Sequence, residues 1–395
     1  MNILIAGGGY AGAAAALRLA RRKPRAARIV LVNDSEHFIE RIRMHQVAAG
    51  QAPVPRFLSA LLKGTGVDLV VGHIESIDAE RQTLTVEGKP HDWDRLVLAL
   101  GSRTRAPETN DMHTLDPGNA IPLRDRLRAL AQTGRGRVAV VGGGLTGIEA
   151  ATEIAETWPH LDVRLISRGP VGSGWSVPAR DYLLSALHRM GVTLEEGRSV
   201  TELAEFSCDL SIWTAGFTVP PLARNAGLAI NGAGQVMVDP FLRSLSHPNV
   251  YAAGDICAPA VDPGDPMPLG CKSALPSGAH AGDNLTREIA AGQGGDPMLE
   301  PFDFGLAFYC VSLGRRDGLV QWAARSTPDT PATPTGKILT GRRAAWFKEA
   351  ICRYTWRALA LEAKGIPFNF SARTGHAPRA LPHRPVKEAD DERAA

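Results

Sequence analysis

The chain has 395 residues, of which 44% are hydrophobic and 22% charged, and its formal net charge is +3. This length allows two or three domains, the composition is typical of a soluble globular protein, and the small net charge excludes nucleic acid as the main partner. No apolar stretch is long enough to span a bilayer and no secretory signal precedes the first strand, so we expect a cytoplasmic protein without membrane contact.

The N-terminal residues have the pattern of a dinucleotide-binding unit. An apolar strand at residues 2–6 is followed by a glycine turn, an Ala/Leu/Arg helix to residue 22 and a second apolar strand at 28–32. In such a turn the first glycine permits the tight bend, the second lets the backbone approach a pyrophosphate, and the third lets the helix pack on the strand. The corresponding residues are Gly7, Gly9 and Gly12, and the helix start adds the N–H groups of Tyr10 and Ala11.

The residue that ends the second strand of such a unit commonly contacts the adenosine ribose. Asn33 stands there in place of the usual Asp or Glu, and Asp34 follows it. Asn33 can hydrogen-bond ribose hydroxyls, or Asp34 can replace it after a shift of one residue. A turn with no ligand role is the third alternative.

A second unit of the same kind follows. Residues 67–71 and 82–86 first predict strands of a small meander, and residues 94–101 predict a buried strand that ends at Gly101. The second unit has a strand at 137–141, a glycine turn, a helix to residue 157 and a further strand at 162–166. Its expected cofactor-binding residues are Gly142, Gly144, Leu145, Thr146 and Gly147. Two turns, each between a strand and a helix, predict two nucleotide sites.

The ribose position of the second unit holds Ser167, followed by Arg168. An acidic residue there would repel a 2′-phosphate, whereas Ser and Arg remove that repulsion and supply a cation. We therefore expect NADPH to be accepted at least as well as NADH. The alternative is that Arg168 is a solvated surface charge.

The rest of the chain completes the predicted architecture. A strand at 208–216 ends at Gly216, and near residue 235 the chain returns to the first domain, in which a strand ends at Gly254 and Asp255. Beyond residue 300 we expect a loop at 326–336, a helix at 341–364 and a disordered tail from residue 372. The fold class is α/β, with two Rossmann-like domains, one inserted in the other, and a smaller C-terminal α+β domain.

The five cysteines are scattered, and none lies in a C-x-x-C or C-x(4)-C pair. An odd number without an export signal argues against a disulfide framework and a zinc site, so we expect reduced, mostly buried thiols and no metal. The missing pair also argues against a disulfide reductase.

Four features in order carry a resemblance to a known superfamily. They are the first glycine turn, the strand that ends at Gly101, the second turn with Glu149 just beyond it, and the strand that ends at Asp255. Over residues 1 to about 290 the chain resembles the two-dinucleotide-domain flavoproteins of the pyridine nucleotide-disulfide oxidoreductase fold, in particular type II NADH dehydrogenases and apoptosis-inducing-factor-like oxidoreductases. Leu100 departs from the threonine of the superfamily pattern.

The resemblance implies an FAD-dependent oxidoreductase that takes a hydride from NAD(P)H. Residues 1–115 and 235–300 would bind FAD, residues 116–234 would bind NAD(P)H, and residues 301–371 would form the C-terminal domain. Asp255 would hold the flavin ribitol, although an Asp after Gly can also cap a helix. Gly101, Gly216 and Gly254 end the strands that border these sites.

Three further side chains are candidates near the flavin. Glu149, one turn into the second helix, matches a Glu implicated at the nicotinamide–flavin junction, although a carboxylate there also stabilises the helix dipole. Arg41 lies where dithiol members carry their cysteines and either approaches the flavin or is solvated. Lys272 replaces a glutamine of the quinone-binding stretch and is expected to stabilise reduced flavin.

The sequence leaves four alternatives for the electron acceptor. It is a quinone, a redox protein or a small biosynthetic substrate, or the chain is a nucleotide-sensing flavoprotein without an acceptor. Because Lys272 and Pro276 replace glutamines, we expect at most activity on short-chain quinones and a small molecule or redox protein as the physiological acceptor. A membrane-associated type II NADH:quinone dehydrogenase is the alternative. A homodimer is one possible oligomeric state.

Overall fold

The structure is a computed structural model that describes residues 1–22, 27–105, 112–200, 207–259, 267–292, 295–324 and 334–366. Two five-stranded parallel sheets form its centre, and helices cover them. Their strands are short and rich in Val, Ile and Leu, as expected when both faces of a sheet are buried.

The first sheet unites the N-terminal unit with a strand from much later in the chain. Its strands, in spatial order, are β16 (Val250–Ala252), β7 (Arg95–Leu98), β1 (Asn2–Ala6), β2 (Arg28–Asn33) and β3 (Val67–Val71). Helix α1 (Tyr10–Arg22) joins β1 to β2 and packs against α8 (Cys271–Ala291). The two helices approach so closely that a Cβ at Gly278 would lie 2.0 Å from the carbonyl oxygen of Ala11.

The second sheet repeats this arrangement. Its order is β12 (Thr193–Glu195), β11 (Asp162–Ile166), β10 (Arg137–Val141), β13 (Leu210–Trp213) and β9 (Met112–Thr114). Helix α5 (Leu145–Thr157) joins β10 to β11, and α4 (Ala120–Gln132) and α6 (Val177–Arg189) complete the layer. The two βαβ units predicted from the glycine turns are therefore present.

Two antiparallel sheets and several small elements surround this centre. One three-stranded sheet holds β4 (Ile74–Asp78), β5 (Thr83–Val86) and β6 (Lys89–Asp92); the other holds β18 (Phe308–Ser312), β19 (Gly318–Ala323) and β20 (Pro334–Thr340). The paired short strands are β8 (Arg103–Thr104) with β14 (Phe217–Thr218) and β15 (Val236–Val238) with β17 (Cys257–Pro259). The short helices are α2 (Met44–Ala48), α3 (Leu58–Leu62) and α7 (Leu222–Asn225).

The C-terminal helix α9 (Gly341–Ala363) packs on α1 and β19. Its Glu362 side chain is fully buried and forms ion pairs with Arg18 and Arg21 at 2.8 and 2.6 Å, which join α9 to α1. Arg18 also pairs with Asp283 of α8 at 2.6 Å. Among the described helices, none is long and apolar enough to cross a membrane.

Two local predictions were wrong. Residues 67–71 belong to the first parallel sheet as β3, because they pair in register with β2, and the meander consists of β4, β5 and β6. Within the predicted loop 326–336, residues 334–336 already lie in β20, while residues 325–333 and the predicted tail lie outside the described residues.

Candidate functional site

One side of the first glycine turn packs against the protein backbone, and its other side faces open space. Gly7 has φ +102°, and a Cβ at Gly12 would lie 1.8 Å from the Gly7 carbonyl oxygen. A Cβ at Gly9 would meet no atom within 4 Å. Because the first N–H groups of α1 have no partner within the helix, this open side offers donors to an anion such as a pyrophosphate.

The second turn has the same geometry. Gly142 has φ +125°, a Cβ at Gly147 would lie 1.8 Å from the Gly142 carbonyl oxygen, and Gly144 again faces open space. Thr146 is exposed and Leu145 half-buried. The chain therefore offers two equivalent anion cradles, one at the start of α1 and one at the start of α5.

Tyr10 and Ala11 belong to the core of the first sheet, with 7% and 4% of their surface exposed. The Tyr10 ring packs edge-on against Phe38, with 5.1 Å between ring centroids. Ala11 lies under Gly254 and Gly278. Only the main chain of these two predicted site residues is available to a ligand.

Both ribose positions are partly occupied by contacts within the protein. The Asn33 Oδ1 accepts the Gly8 N–H at 2.7 Å, and its Nδ2 donates to the Ser35 carbonyl at 2.8 Å, so Asn33 holds the glycine turn. Asp34 is exposed beside it. In the second unit Ser167 is buried and donates to the Gly169 carbonyl at 2.7 Å, whereas Arg168 is exposed.

The ends of β7 and β16 meet at Asp255. Its Oδ2 accepts the Ser102 hydroxyl at 2.7 Å, and its Oδ1 accepts the Gly270 N–H at 2.8 Å. Arg41 donates to the carbonyl oxygen of Ser102 and lies 3.7 Å from Asp116. These contacts bring Asp255, Gly101, Gly254 and Arg41 to one edge of the first sheet.

Gly216 ends the segment that leaves the second sheet after β13. Its φ is +72°, and its carbonyl oxygen accepts the Arg105 N–H at 3.4 Å. The segment crosses to β14, which pairs with β8. Gly216 therefore lies on the connection between the two dinucleotide units.

Glu149 lies buried where four elements meet. Its Oε1 is 2.9 Å from the Lys348 ammonium of α9 and accepts the Ser312 N–H of β18 at 3.1 Å. Its Oε2 is 3.6 Å from the Nδ1 of His45 on α2. Burial opposes ionisation, but Lys348, His45 and the Ser312 N–H outweigh it and lower the pKa of Glu149, so Glu149 is ionised at neutral pH.

The pKa values of His45 and Lys348, the two titratable partners of Glu149, shift in opposite directions. Burial lowers the pKa of His45 to about 4 despite the neighbouring Glu149, so this imidazole is neutral at physiological pH. The Glu149 carboxylate outweighs burial at Lys348 and raises the pKa of that ammonium. The Nε2 atom of His45 forms a hydrogen bond with the Ser312 hydroxyl at 3.4 Å.

Lys272, in the first turn of α8, supplies a second buried cation. Its ammonium lies 5.2 Å from the centroid of the Tyr309 ring, and Trp175 packs against Tyr309 with 6.3 Å between ring centroids. Burial lowers the pKa of Lys272. The cation–π contact compensates part of the lost hydration and fixes the ammonium near the start of α8.

The polar segment 40–46 is not solvated as a whole. His45 and Gln46 are each 3% exposed. Arg43 binds both carboxylate oxygens of Glu349 at 2.9 and 3.0 Å, and although burial opposes it, this contact lowers the pKa of Glu349 to about 2. The segment therefore anchors α9 to the first unit.

Sequence reasoning missed Lys348, Ser312 and Glu153. Glu153 lies one turn beyond Glu149 on α5, and its side chain is fully buried. The available signal was the spacing of four residues between two acids on a helix with an apolar face. Nothing local to the sequence indicated Lys348, which comes from a helix about 200 residues later.

The cysteines are unpaired, as predicted, and all five lie within the described residues. Burial raises the pKa of Cys271 to about 11 and that of Cys352 to about 12. Thiols held protonated in this way are poor nucleophiles.

Residues 1–281 match the family described as pyridine nucleotide-disulphide oxidoreductase. An NADH dehydrogenase-like protein of Mycobacterium tuberculosis is 30% identical over 326 residues, which cover 73% of this chain and 80% of that protein. A demethylphylloquinone reductase of Synechocystis is 27% identical over 288 residues, 64% of this chain and 71% of that one. The sulfide:quinone oxidoreductase of Aquifex aeolicus shares the fold with a TM-score of 0.75 at 17% identity, over 92% of each chain. The predicted superfamily and fold class are confirmed.

The two glycines of the first turn are expected to respond differently to alanine. Gly12→Ala should lower the free energy of unfolding by about 1–3 kcal/mol or more, because its Cβ overlaps the Gly7 carbonyl. Gly9→Ala should change it by less than about 1 kcal/mol but weaken FAD retention, because the methyl group occupies the open side. Denaturant unfolding and flavin content measure the two effects. Full flavin content in Gly9→Ala would contradict the assignment of the open side.

Lys348→Met should cost about 3–5 kcal/mol of unfolding free energy, because it leaves the Glu149 carboxylate buried without its cation. Adding Glu149→Gln should recover part of the loss. Lys337→Met, at an exposed position on β20, is the control and should stay within about 0.5 kcal/mol of wild type. A loss in the double variant equal to the sum of the losses in Lys348→Met and Glu149→Gln, each measured alone, would show that the pair is not coupled.

Proposed function

The chain belongs to the pyridine nucleotide-disulphide oxidoreductase family, and on that premise we propose that it is an NAD(P)H:quinone oxidoreductase. That it is an FAD-dependent oxidoreductase which uses NAD(P)H is confirmed by the family and by the relatives that match it. The proposal adds the acceptor. It departs from the expectation that a small molecule or a redox protein is the physiological acceptor.

One observation carries the choice of a quinone: two largely buried lysines from different elements, Lys272 of α8 and Lys348 of α9, both lie near β18, and Lys348 also pairs with Glu149. A quinone gains negative charge on its oxygens as it is reduced. Preorganised cations in a site with little water stabilise such charge strongly. The named activities of the Synechocystis and Aquifex proteins support the same acceptor class.

The described residues fit both cofactors. We assign the FAD pyrophosphate to Gly9 and the start of α1, its ribose to Asp34, and its ribitol to Asp255. Gly101, Gly254 and Arg41 line that edge. The open side at Gly144, with the N–H groups of Leu145 and Thr146, would take the NAD(P)H pyrophosphate, and Gly216 lies between the two sites.

Sheet membership supports a division into domains. We infer that the inserted NAD(P)H-binding domain runs from residue 112 to about residue 214, shorter than the predicted 116–234. Strand β9 already pairs in the second sheet, and Val219, Ala223 and Leu228 pack into the core of the first. The FAD-binding domain then comprises the chain before and after it, and the C-terminal domain begins near residue 301.

Bound FAD supplies two-electron transfer between the coenzyme and the acceptor. The residues supply placement and charge. Lys348 and the Ser312 N–H hold Glu149 ionised and fixed. Lys272 and Lys348 offer positive charge to the developing oxyanions. The cytoplasmic location, the lack of membrane contact and the oligomeric state stay predictions from the sequence.

For the coenzyme, we propose that Arg168 recognises the 2′-phosphate of NADPH. Arg168→Ala should raise the KM for NADPH about tenfold or more and leave that for NADH unchanged, because only NADPH loses a charge-assisted hydrogen bond. Arg135→Ala is the control. Arg135 is exposed and precedes β10 at the end opposite the glycine turn, so its loss should change neither KM. Equal losses with both coenzymes would contradict the assignment.

For the acceptor, stopped-flow reduction with NADH or NADPH should be followed by rapid reoxidation with menadione or ubiquinone-1. Lys272→Met should slow the quinone step by about tenfold or more without slowing reduction, since it removes one preorganised cation. Lys337→Met is the control. Reoxidation by a redox protein alone would overturn the quinone proposal, and rapid reduction with negligible turnover on every acceptor would indicate a nucleotide sensor.

A further inference from the structure

Glu153 is a buried carboxyl group that the proposed chemistry has not used. Its side chain is fully buried, and its Oε2 has no hydrogen-bond partner among the described residues. Its Oε1 accepts from the Gln51 amide at 2.5 Å and lies 3.7 Å from the Arg315 guanidinium. A buried carboxylate with one unpartnered oxygen is costly, and the neutral acid costs less because no charge is then taken out of water.

The groups that face Glu153 act on its pKa in both directions. Its own helix contributes Glu149 and Glu156, the turn between β18 and β19 contributes Arg315, and the segment after α2 contributes the neutral Gln51. Burial raises the pKa of Glu153 to about 7, and the two carboxylates oppose the single cation. Helix α5 therefore carries, one turn apart, a carboxylate that is ionised at neutral pH and a carboxyl group that titrates near neutral pH.

The proposed reaction consumes a proton. NAD(P)H, one proton and a quinone give NAD(P)+ and a hydroquinone, so each turnover takes one proton from solvent. His45 is neutral and cannot supply this proton, because burial lowers its pKa to about 4. Lys348 is held in its charged form by Glu149. Around Glu149, Glu153 is the neighbour that can give up a proton near neutral pH.

We propose that Glu153 is a positioning residue that holds this proton one turn from Glu149 and supplies it to the acceptor through Glu149. The inference rests on the proposed reduction of a quinone. In the step, the O–H bond of Glu153 breaks, Glu149 passes the proton on, and an O–H bond forms on the reduced quinone, whose two electrons come from NAD(P)H. Glu153 then regains a proton from water beside Arg315, whose side chain is 35% exposed.

Glu153→Gln tests the inference because it keeps the shape and the acceptor oxygen but cannot release a proton. Infrared titration of the purified protein, with FAD bound and after its removal, should show a carboxylic acid C=O band that disappears near neutral pH. The band should be absent from the variant. Glu288→Gln, a largely buried carboxylate of α8 paired with Arg95 at 3.3 Å, is the matched control and should keep it.

The same variant should separate the two half-reactions. Reduction by NADPH should stay within about twofold of wild type, because hydride transfer consumes no proton. Reoxidation by menadione should slow by about tenfold to a hundredfold, with a changed pH profile and solvent deuterium effect. Glu288→Gln should match wild type in both.

The outcomes distinguish the inference from the function on which it rests. A wild-type protein that reduces no quinone would overturn both. Quinone turnover in wild type together with an unchanged rate, pH profile and isotope effect in Glu153→Gln would overturn the inference alone. An infrared band that persists in Glu153→Gln would do the same, since the titrating acid would then be another residue.

Discussion

The Glu149 carboxylate and the Lys348 ammonium lie 2.9 Å apart, buried where the second dinucleotide unit meets the C-terminal helix. Taking both charges out of water is expensive, so the pair is stable only because other groups make the remaining polar contacts of the carboxylate. These contacts come from the Ser312 N–H of β18 and from His45 of α2. The contacts of Glu149 thereby link α5 of the second unit to α2, to β18 of the C-terminal sheet and to α9.

The glycine contacts impose a second constraint on the same geometry. Gly12 and Gly147 lie against carbonyl oxygens of their own turns, so the start of each helix packs closely on its turn. Gly278 lets α8 approach α1 in the same way, which brings Lys272 to the edge where Asp255 lies. A side chain larger than hydrogen at any of these three glycines would disturb this close backbone packing.

The predictable part of this fold is the part encoded locally. The turns at Gly7 and Gly142, their strands and the strands that end at Gly101 and Asp255 all have short-range patterns, and the parallel sheets follow from them. Strand 67–71 was misassigned because it is an edge strand in which only Val67 is buried, and such a half-exposed strand fits a meander equally well. The ion pair of Glu149 could not be predicted, because Lys348 meets it only after β18 and α9 have packed on α5.

Glu149 and Glu153 show where sequence reasoning ends. They are the same residue type, four positions apart on one helix, and each is buried, so propensity and periodicity cannot separate them. What differs is the partner: an ammonium and an N–H for Glu149, an amide and a more distant guanidinium for Glu153. Since an ionised neighbour raises the cost of a second charge, the ionisation of Glu149 is itself one reason that Glu153 keeps its proton. In the proposed reaction, an ionised Glu149 and a Glu153 that titrates near neutral pH would let one turn of helix both stabilise charge and deliver a proton.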